Sequence, residues 1–407
     1  MSEVLPKFRF KKDNNNFLFV SLKDISSRIT RVNDGNNHSI MMITSQNGFV
    51  PQSSKYSRFM AGESLNNYTL LKKGELAYNK GSSKIAKYGC VFEMHDDSAL
   101  IPHVYHSFSI NPDNDTKFYA LYLNSGKVNR QLKRLITSSV RMDGLMNISY
   151  DNFVSIKVPH PSLEEQKKIA EFLSKVDEKI ALQSKKVEGL EKLKLGFIQK
   201  IFSRELRFKD ENGKVFGAWE EKKISDISSC FAGGTPDTKK GEYWENGTIP
   251  WMSSGEIHKK RVYDVESRIT KLGYKNSSAK MTPVNSVLVA LAGQGKTRGT
   301  VAITKIELCT NQSIGIIVCN NSILADYLYH NLDSRYEELR RLSSGDGLRG
   351  GLNLRLIKSI KVPVPPLLEQ KKIAEFLFKL DDKIEIEAQI LERWKKVKKG
   401  LLQQMFV

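Results

Sequence analysis

Apolar residues recur mostly at three- and four-residue steps in a long segment near the middle of the chain and again near its end. The first set comprises Ile169, Phe172, Leu173, Val176, Ile180, Val187, Leu190, Phe197 and Ile201. The second set comprises Ile373, Phe376, Leu377, Leu380, Ile384, Leu391, Trp394, Leu401 and Met405. Because this spacing places each set on one face of an α-helix, the pattern predicts two long amphipathic helices.

The two helical segments belong to one internal repeat. The stretch from Ser155 to Leu173 returns from Ser359 to Leu377, shifted by 204 positions and with many identical residues. Solenoid and propeller repeats have periods of roughly 20 to 50 residues. The longer period therefore predicts a duplicated module with approximate internal two-fold symmetry.

Prolines limit where each helix can begin. Proline disrupts a helix interior and restricts the preceding residue, so the prolines at positions 159, 161, 363 and 365 predict helices that begin near Leu163 and Leu367. From Leu163 to Ile201 such a helix is roughly 58 Å long at about 1.5 Å per residue. Seams of this length usually pair as a coiled coil, and the intervening domain favours an antiparallel pair. Gln183 and Glu387 fall on the seam, where each either fixes the register or turns to solvent.

The segments Met1 to Lys157 and Glu205 to Lys361 share little sequence. Both contain short apolar runs broken by Gly, Asn and Ser, which is typical of strands and turns. The clearest strand candidates are 40–44, 287–292, 301–304 and 314–318, and the clearest helical stretches are 115–136 and 322–342. The fold class predicted is therefore α+β, with two globules and two long helices that pair as an antiparallel coiled coil.

The net charge limits the kind of partner. The chain has a formal net charge of +19 and a sequence pI near 9.5, which favours a polyanion such as nucleic acid. From Pro161 to Glu205 there are ten Lys or Arg residues against eight Asp or Glu. The positive excess lies mainly outside the repeat, so the globules are expected to meet the polyanion.

Cysteine usage and hydropathy indicate the compartment. Cys90, Cys230, Cys309 and Cys319 are scattered without CxxC spacing, which argues against a zinc site and a disulfide framework. The start of the chain has no apolar run of signal-peptide length, and no apolar stretch is long enough to span a bilayer. We therefore expect a cytoplasmic protein that does not associate with membranes.

Two loops combine glycine with basic and amide side chains, and one short run is strongly basic. Gln and Arg or Lys can pair with adenine and guanine in a major groove, while glycine lets the backbone approach phosphate. An ordinary solvated turn is the alternative for each loop. The candidate base contacts are Gln294, Lys296, Thr297 and Arg298 in 293–299 and Asn79, Lys80, Ser82 and Lys84 in 78–84, and the candidate phosphate contacts are Lys259, Lys260 and Arg261.

Other candidate chemistry is weaker. The run 290–297 fits a relaxed phosphate-loop pattern around Lys296 and Thr297, but the following residues predict a strand, whereas a phosphate loop needs a helix there. The run 111–114 resembles the Asn-Pro-Pro-aromatic motif of amino-methylating enzymes but lacks its second proline and its aromatic, so a turn is expected. His95, His103 and His106 match no metal-binding spacing.

In their order and spacing, several motifs resemble the DNA specificity subunit of type I restriction-modification systems along the whole chain. They are the repeated Pro-x-Pro-x-x-x-x-Glu-Gln-x-x-Ile-Ala-x-Phe-Leu segment and the runs 233–236, 243–251 and 293–299. The resemblance implies target recognition domains at 1–157 and 206–361. It also implies a central helical region at 158–205 and a distal one at 362–407, which carry the partner and coiled-coil positions Ile169, Phe172, Leu173, Val176, Ile180, Ile373, Phe376, Leu377, Leu380 and Ile384.

The resemblance also implies a non-catalytic, sequence-specific subunit for a bipartite, asymmetric site in double-stranded DNA. Its partners would be two modification subunits, which methylate adenine N6 with S-adenosylmethionine, and restriction subunits, which use ATP and Mg²⁺. No cofactor is expected in this chain. The residues alone leave two rivals: a basic coiled-coil scaffold with only non-specific nucleic-acid binding, and an ATP-using enzyme built on Lys296 and Thr297.

Overall fold

The computed structural model describes residues 6–10, 17–54, 62–81, 86–136, 145–293, 295, 297–342 and 351–406. The chain divides into two compact units, which are Met1–Ser184 with Gln389–Val407 (unit 1) and Lys185–Ala388 (unit 2). Each unit therefore contains one globule together with one end of each long helix. No helix among the described residues has the length and apolar character needed to cross a lipid bilayer.

Unit 1 is built from short strands and a few helices. Its strands are β1 (Leu18–Ser21), β2 (Ser26–Arg28), β3 (Ser39–Thr44), β4 (Gly48–Pro51), β5 (Thr69–Lys72), β6 (Leu76–Asn79), β7 (Cys90–Glu93), β8 (Ser98–Ile101), β9 (His106–Ile110) and β10 (Lys157–His160). Its helices are α1 (Thr116–Asn124), α2 (Asn129–Leu135) and α3 (Tyr150–Val154), and α4 (Leu163–Phe202) begins here. The strands form the sheets β2-β9-β6-β7, β4-β3-β8-β5 and β1-β10.

Unit 2 repeats this plan with different residues. Its strands are β11 (Glu220–Lys223), β12 (Ser228–Ala232), β13 (Ile249–Met252), β14 (Arg261–Val262), β15 (Ser267–Ile269), β16 (Val287–Ala290), β17 (Val301–Thr304), β18 (Cys309–Thr310), β19 (Ile314–Cys319) and β20 (Lys361–Val364). Its helices are α5 (Ile224–Ile227), α6 (Lys271–Lys275), α7 (Ala325–Asp333), α8 (Tyr336–Leu342) and α9 (Leu354–Ser359), and α10 (Leu367–Met405) begins here. The sheets are β12-β19-β16-β17-β14, β15-β13-β18 and β11-β20.

The predicted α+β class and both long helices are confirmed. The helices begin at Leu163 and Leu367, directly after β10 and β20. The four strand candidates correspond to β3, β16, β17 and β19. The helical stretch 115–136 is two helices, because Gly126 takes the left-handed conformation at φ +86°, and 322–342 is likewise divided into α7 and α8.

Within each unit the two long helices run antiparallel. In unit 1, Ile169 and Leu173 of α4 share a core with Met405 of α10, and the Lys398 Nζ lies 2.5 Å from Asp177 Oδ1. The predicted direction of the pair is therefore confirmed in this unit.

In unit 2 the same pairing recurs with the roles of the helices exchanged. Phe197 of α4 meets Phe376 of α10 edge to face, with 4.9 Å between ring centroids, and Lys194 pairs with Asp381. The seam residue Glu387 lies 2.6 Å from Lys186 Nζ and has a side chain only 12% exposed, so it faces the partner helix rather than solvent.

A buried glutamine joins each long helix to its globule. Gln166 Oε1 accepts from the Asp115 backbone N–H at 2.8 Å, and its Nε2 donates to Pro161 O at 2.9 Å. Gln370 repeats both bonds, to Leu324 N at 2.7 Å and Pro365 O at 2.8 Å. Both side chains are fully buried. The hydrogen-bonding capacity of this residue type fixes the angle at which each helix leaves its globule.

The preceding glutamate anchors a second segment in each unit. Glu165 accepts from Arg9 Nε and Nη2 at 2.8 and 2.6 Å, and Glu369 accepts from Arg207 Nε and Nη2 at 2.7 and 2.8 Å. Glu369 also accepts from Trp219 Nε1 at 2.9 Å. The surrounding runs, 8–10 and 206–208, are a further part of the repeat that sequence inspection missed because each has only three residues.

Candidate nucleic-acid interface

The two basic loops predicted from the sequence occupy the same position in the two globules. In unit 1, residues 80–89 connect the antiparallel strands β6 and β7. In unit 2, residues 291–300 connect the antiparallel strands β16 and β17. Both strand pairs lie next to the strand that leads toward the first helix after the sheet, β9 or β19. The two loops are equal in length, and their sequences have no common motif.

Each loop closes on a left-handed glycine. Gly89 precedes β7 at φ +78°, and Gly299 precedes β17 at φ +83°. A side chain at Gly89 would come within 2.5 Å of Asn79 O, and one at Gly299 would come within 3.2 Å of Arg340 Cγ. Glycine is required at both places because other residues rarely adopt this conformation.

The β16–β17 loop is held from outside by Arg340 of α8. The guanidinium Nη1 donates to Gly295 O at 3.0 Å and to the Tyr336 hydroxyl at 2.9 Å. Thr297 and Arg298 are half-buried at the end of the loop, while Gln294 and Lys296 lie outside the described residues. The chain passes from this loop straight into β17, so the expected strand follows Thr297 in place of the helix that a phosphate loop needs.

A cavity of about 360 Å³ lies beside the β16–β17 loop. We call it the second basic cavity, and its lining residues are Gly255, Ile257, His258, Lys260, Thr297, Thr300 and Tyr336. Hydroxyl, imidazole and ammonium groups from three separate parts of the chain meet here. Such a set can donate hydrogen bonds to base edges and to phosphate oxygens.

The three predicted phosphate contacts are engaged in ion pairs within unit 2. Lys259 Nζ lies 2.6 Å from Glu256 Oε2, and Lys260 Nζ lies 2.5 Å from Asp333 Oδ1. Arg261 pairs with Asp382 and Glu385, and its side chain is only 16% exposed. For the two lysines a phosphate contact requires the ion pair to open. The Arg261 side chain is half-buried and would have to leave two carboxylates to reach a phosphate, so this contact stays a prediction.

In unit 1 one predicted residue holds the backbone of its loop and another lines a cavity. Asn79 Nδ2 donates to Ile43 O at 3.0 Å, and its Oδ1 accepts from Gly81 N at 2.9 Å. Because both ends of its amide hold backbone, Asn79 shapes the loop and is poorly placed to contact a base. Lys80 lies at the edge of a cavity. Ser82 and Lys84 lie outside the described residues.

The cavity beside Lys80 has a volume of about 500 Å³. We call it the first basic cavity, and it is also lined by Arg28, Asn67, His103, His106 and Ser107. Arg28 lies over the Tyr150 ring at 4.7 Å. Burial lowers the pKa of His106, and the nearby charges of Lys80 and Arg28 lower it further. The side chain is therefore neutral near pH 7, and a polyanion would meet cations from Arg28 and Lys80.

Sequence inspection missed most of the residues that line the two basic cavities. Arg28, Asn67 and His106 come from separate parts of unit 1, and His258 and Tyr336 come from separate parts of unit 2. None belongs to a motif, so only the fold brings them together. No cluster of three or more His, Cys, Asp or Glu side chains among the described residues has the geometry to hold a metal ion.

Two motifs in unit 2 have a packing role. Trp251 Nε1 donates to Gly234 O at 3.0 Å, and its ring meets Trp244 edge to face with 5.0 Å between centroids. Gly234 N donates to Thr310 O at 2.8 Å. The runs 233–236 and 243–251 therefore close the smaller sheet of unit 2 and support the globule, rather than forming a site.

The predicted coiled-coil positions have two kinds of environment. Ile169, Leu173, Val176, Ile373 and Leu377 are buried, and all but Val176 lie in the main hydrophobic core of their unit. The first turns of each helix therefore pack on a globule as well as on the other helix. The remaining positions are partly exposed and comprise Phe172, Ile180, Phe376, Leu380 and Ile384.

Comparison with known proteins gives one consistent family. The model of the type I restriction modification DNA specificity domain matches residues 51–192 and 217–396. A type I restriction enzyme specificity subunit of Escherichia coli is 33% identical over 168 residues, which cover 40% of this chain and 41% of the relative. A specificity subunit of Methanocaldococcus jannaschii is 31% identical over 215 residues, which cover 51% of this chain and 48% of the relative. The matches thus span less than half the length of these two relatives.

Solved structures resemble this chain over nearly its full length. The type I restriction-modification S subunit from M. genitalium has a TM-score of 0.62 at 17% identity, and the match covers 99% of both chains. A chain from a study of complex assembly and conformational transition of the type I R-M system has a TM-score of 0.55 at 14% identity, covering 96% of this chain and 97% of that one. At these identities the likeness concerns the fold.

Proposed function

The chain belongs to the type I restriction-modification DNA specificity family, and we propose that it recognises a bipartite, asymmetric DNA site, one half with each globule. It acts in this proposal as the specificity subunit of a restriction-modification complex. The observation that carries the proposal is the equivalence of the β6–β7 and β16–β17 loops. They hold one topological position in two globules of the same plan, yet their side chains differ, as expected for surfaces that recognise two different sequences.

Charge supplies the affinity and the cavities supply the selectivity. A net charge of +19 draws the chain to the phosphate backbone and makes its binding weaken as salt rises. Donors beside the loops, such as Lys80 and Arg28 in unit 1 and Thr297 and Arg298 in unit 2, discriminate at base edges. Each well-formed base contact of this kind is worth about 1–3 kcal/mol of discrimination.

The paired helices set the distance between the two half-sites. Within each unit, the antiparallel packing of the helices and the buried glutamine support a firm attachment of the helices to the globule. Inserting one helical turn into α4 and the opposing turn into α10 lengthens the rod by about 5.4 Å. The preferred spacing of the half-sites should then increase by one or two base pairs, and an unchanged spacing would contradict this role of the helices.

Catalysis in this proposal belongs to partner subunits. Two modification subunits bind the chain and methylate adenine N6 with S-adenosylmethionine, and restriction subunits contribute ATP- and Mg²⁺-dependent translocation and cleavage. The chain itself binds none of these cofactors. Its contribution is to hold the modification subunits at the two halves of the site, which raises the local concentration of the methylating groups at the target adenines.

The decisive experiment is to co-express the chain with its methylating partner and to map adenine methylation across a sequenced genome. We expect one motif with two fixed halves separated by a constant spacer. The exchange of the 291–300 loop for that of another member of the family should change only one half of the methylated motif. Methylation without a common motif would favour the rival scaffold, which binds nucleic acid without sequence preference.

A further inference from the structure

The two globules differ most in the space between their first post-sheet helix and the long helices. Helices α1 and α7 occupy equivalent places, because Gln166 accepts from the N–H just before α1 and Gln370 from the one just before α7. Counting from these bonds, Ala120 corresponds to Tyr329 and Leu121 to His330. The 204-residue repeat of the long helices pairs Ser174 with Phe378. Three small or aliphatic side chains in unit 1 thus correspond to three rings in unit 2.

In unit 2 these rings fill the space. Tyr329 and Phe378 stack with 5.8 Å between centroids and 5° between planes, and His330 meets Phe378 at 4.4 Å. The Arg261 guanidinium lies 5.6 Å from the Phe378 ring centroid and pairs with Asp382 and Glu385 of α10. Aromatic rings, a guanidinium and two carboxylates therefore form one closed cluster.

In unit 1 the same place is a cavity of about 380 Å³, which we call the helix-side cavity. Its apolar wall includes Ala120, Leu121 and Leu402, and its polar groups include Glu93 and Asp177. The ion pair of the long helices is retained, since Asp177 and Lys398 correspond to Asp381 and Lys194. What unit 1 lacks is the filling of rings and guanidinium.

Among the described residues, the main sheet of unit 1 contains no counterpart of the strand that carries Arg261. In unit 2, β14 covers the edge of β17, and Ile303 N donates to Lys260 O at 2.7 Å. In unit 1, β7 is the last strand of its sheet. The Asn124 side chain bonds the backbone of Val91 there, accepting from its N–H at 2.9 Å and donating to its C=O at 2.5 Å.

The lining of the helix-side cavity contains Glu93 and Asp177 but also His95, Lys117 and Lys398, so the carboxylate left for a further cation is that of Glu178, the next residue of α4 after Asp177. Asp382, which holds Arg261 in unit 2, corresponds to Glu178 in unit 1 under the 204-residue repeat. Glu178 is exposed, and no ion pair joins it to any residue that the structure describes. Glu93 lines the cavity, and burial raises the pKa of its carboxyl group. A guanidinium beside Glu178 would form a charge-assisted ion pair with that carboxylate.

We propose that the helix-side cavity of unit 1 receives an aromatic side chain with a neighbouring arginine from the modification subunit, an inference that rests on the proposed function. The ring takes the place that Tyr329 and Phe378 occupy in unit 2, and the arginine pairs with Glu178 as Arg261 pairs with Asp382. Because unit 2 fills this place with its own side chains, the two modification subunits bind unequally. The copy on unit 1 has an anchor that the copy on unit 2 lacks.

The test fills the helix-side cavity with larger side chains of the protein itself. The double substitution Ala120→Tyr with Ser174→Phe supplies the two rings found in unit 2, and Glu178→Lys reverses the charge that the arginine would meet. Glu191→Lys makes the same charge change at an exposed position elsewhere on α4 and is the matched control. Each full-length chain is titrated with the modification subunit used in the methylation experiment, and the complexes are counted by native mass spectrometry.

We expect two copies on the parent chain and on Glu191→Lys, with binding of one copy weakened about tenfold or more in the other two variants, as for the loss of an interface anchor. Circular dichroism checks that the double variant is folded, and Glu178→Lys keeps the test valid if it is not. Two copies bound with unchanged affinity by both variants would overturn the inference alone. No binding by the parent chain would overturn the proposed function as well.

A different occupant would also be visible. If the parent chain alone dimerises and the double variant does not, the cavity receives a second copy of this chain, and the proposal is overturned. If a small molecule remains bound to the parent chain and is lost from the double variant, while two modification subunits still bind both, the proposal is overturned in the same way.

Discussion

Unit 1 and unit 2 share the order of the first four strands of the main sheet and the same helix starts, but the edge of that sheet is covered in a different way in each unit. Strand β17 is covered by β14, whereas β7 is capped at Val91 by the Asn124 amide. In unit 2 a cluster of aromatic rings accompanies the covered edge, whereas in unit 1 an open cavity accompanies the capped edge. The comparison teaches that backbone pairing and a few buried hydrogen bonds maintain the plan, while the side chains between elements can diverge.

The largest expected difference between the two units is in the stability that is lost when the glutamate at the start of each long helix is replaced. We expect Glu369→Ala to lower the free energy of unfolding by about 3–5 kcal/mol, because it leaves the Arg207 charge without its partner. Glu165→Ala should lower the free energy of unfolding by about 1.5 kcal/mol less than Glu369→Ala does. This difference corresponds to one hydrogen bond to a charged group, because only Glu369 also accepts a hydrogen bond from a tryptophan. Hydrogen exchange followed by mass spectrometry measures the two units separately.

The matched control for this prediction is Trp219→Phe. Phe17 lies against Arg9 as Trp219 lies against Arg207, at 4.7 and 5.2 Å from the guanidinium carbon to the ring. In a Trp219→Phe background the two glutamate substitutions should therefore cost nearly the same. A persistent gap between them would mean that something other than the indole N–H distinguishes the two anchors.

The next difference concerns the glycines that close the two loops. Either Gly→Ala change forces alanine into the left-handed region, which costs about 1–2 kcal/mol. Gly89→Ala should cost roughly 1 kcal/mol more than Gly299→Ala, because its new methyl group meets the Asn79 carbonyl and the Tyr78 ring, whereas that of Gly299 meets the flexible Arg340 chain. Urea unfolding of both variants measures this order, and equal costs would show that the β6–β7 loop can shift.

A substitution in either loop should affect the recognition of only one half of the DNA site. Arg298→Ala should reduce discrimination at the second half-site by about 1–3 kcal/mol and leave the first half-site as selective as before. Lys80→Ala should weaken binding through the first half-site. Competition binding with DNA carrying changes in one half at a time measures both effects. If Arg298→Ala leaves the second half-site equally selective, the assigned role of Arg298 is wrong.

The smallest effect is a dependence of stability on pH that belongs mainly to unit 2. Burial and the charges of Lys194, Arg261 and Lys305 lower the pKa of His330 well below its usual range. Below about pH 6.5 the unfolded chain binds a proton that the folded one does not, so stability falls by up to about 1.4 kcal/mol per pH unit until the folded pKa is reached. His330→Leu, which supplies the side chain of Leu121 in unit 1, should remove this loss in a series of thermal unfolding curves.

Two other titratable groups, Asp381 and His106, also contribute to the pH dependence and determine the control for this experiment. Burial raises the pKa of Asp381, so its protonation favours the folded state and acts with the opposite sign at lower pH. His106 in unit 1 also has a lowered pKa and contributes a loss of the same sign as His330. A slope that survives in His330→Leu but disappears in His106→Leu would reassign the pH dependence to unit 1.

Much of the frame could be predicted from the sequence because it depends on local patterns. The 3.6-residue spacing of Ile169 and Leu173 and the preceding prolines were enough to locate α4 and α10. The basic loops were found from their composition. Most of the lining of the basic cavities was not found, because residues such as Arg28, Asn67 and His106 are far apart in sequence. The ion pairs of Arg261 could not be foreseen for a related reason, since its carboxylate partners lie on a different element.

The sequence by itself determined the repeat, the two helices and the positions of the loops, because periodicity, proline and glycine act over a few residues. Only the tertiary structure decided that the two loops are equivalent, that the basic run 259–261 is engaged in ion pairs, and that unit 1 keeps open a space that unit 2 fills. These properties depend on strand pairing and packing between residues distant in the chain, and they change with single side chains such as Ser174 and Phe378.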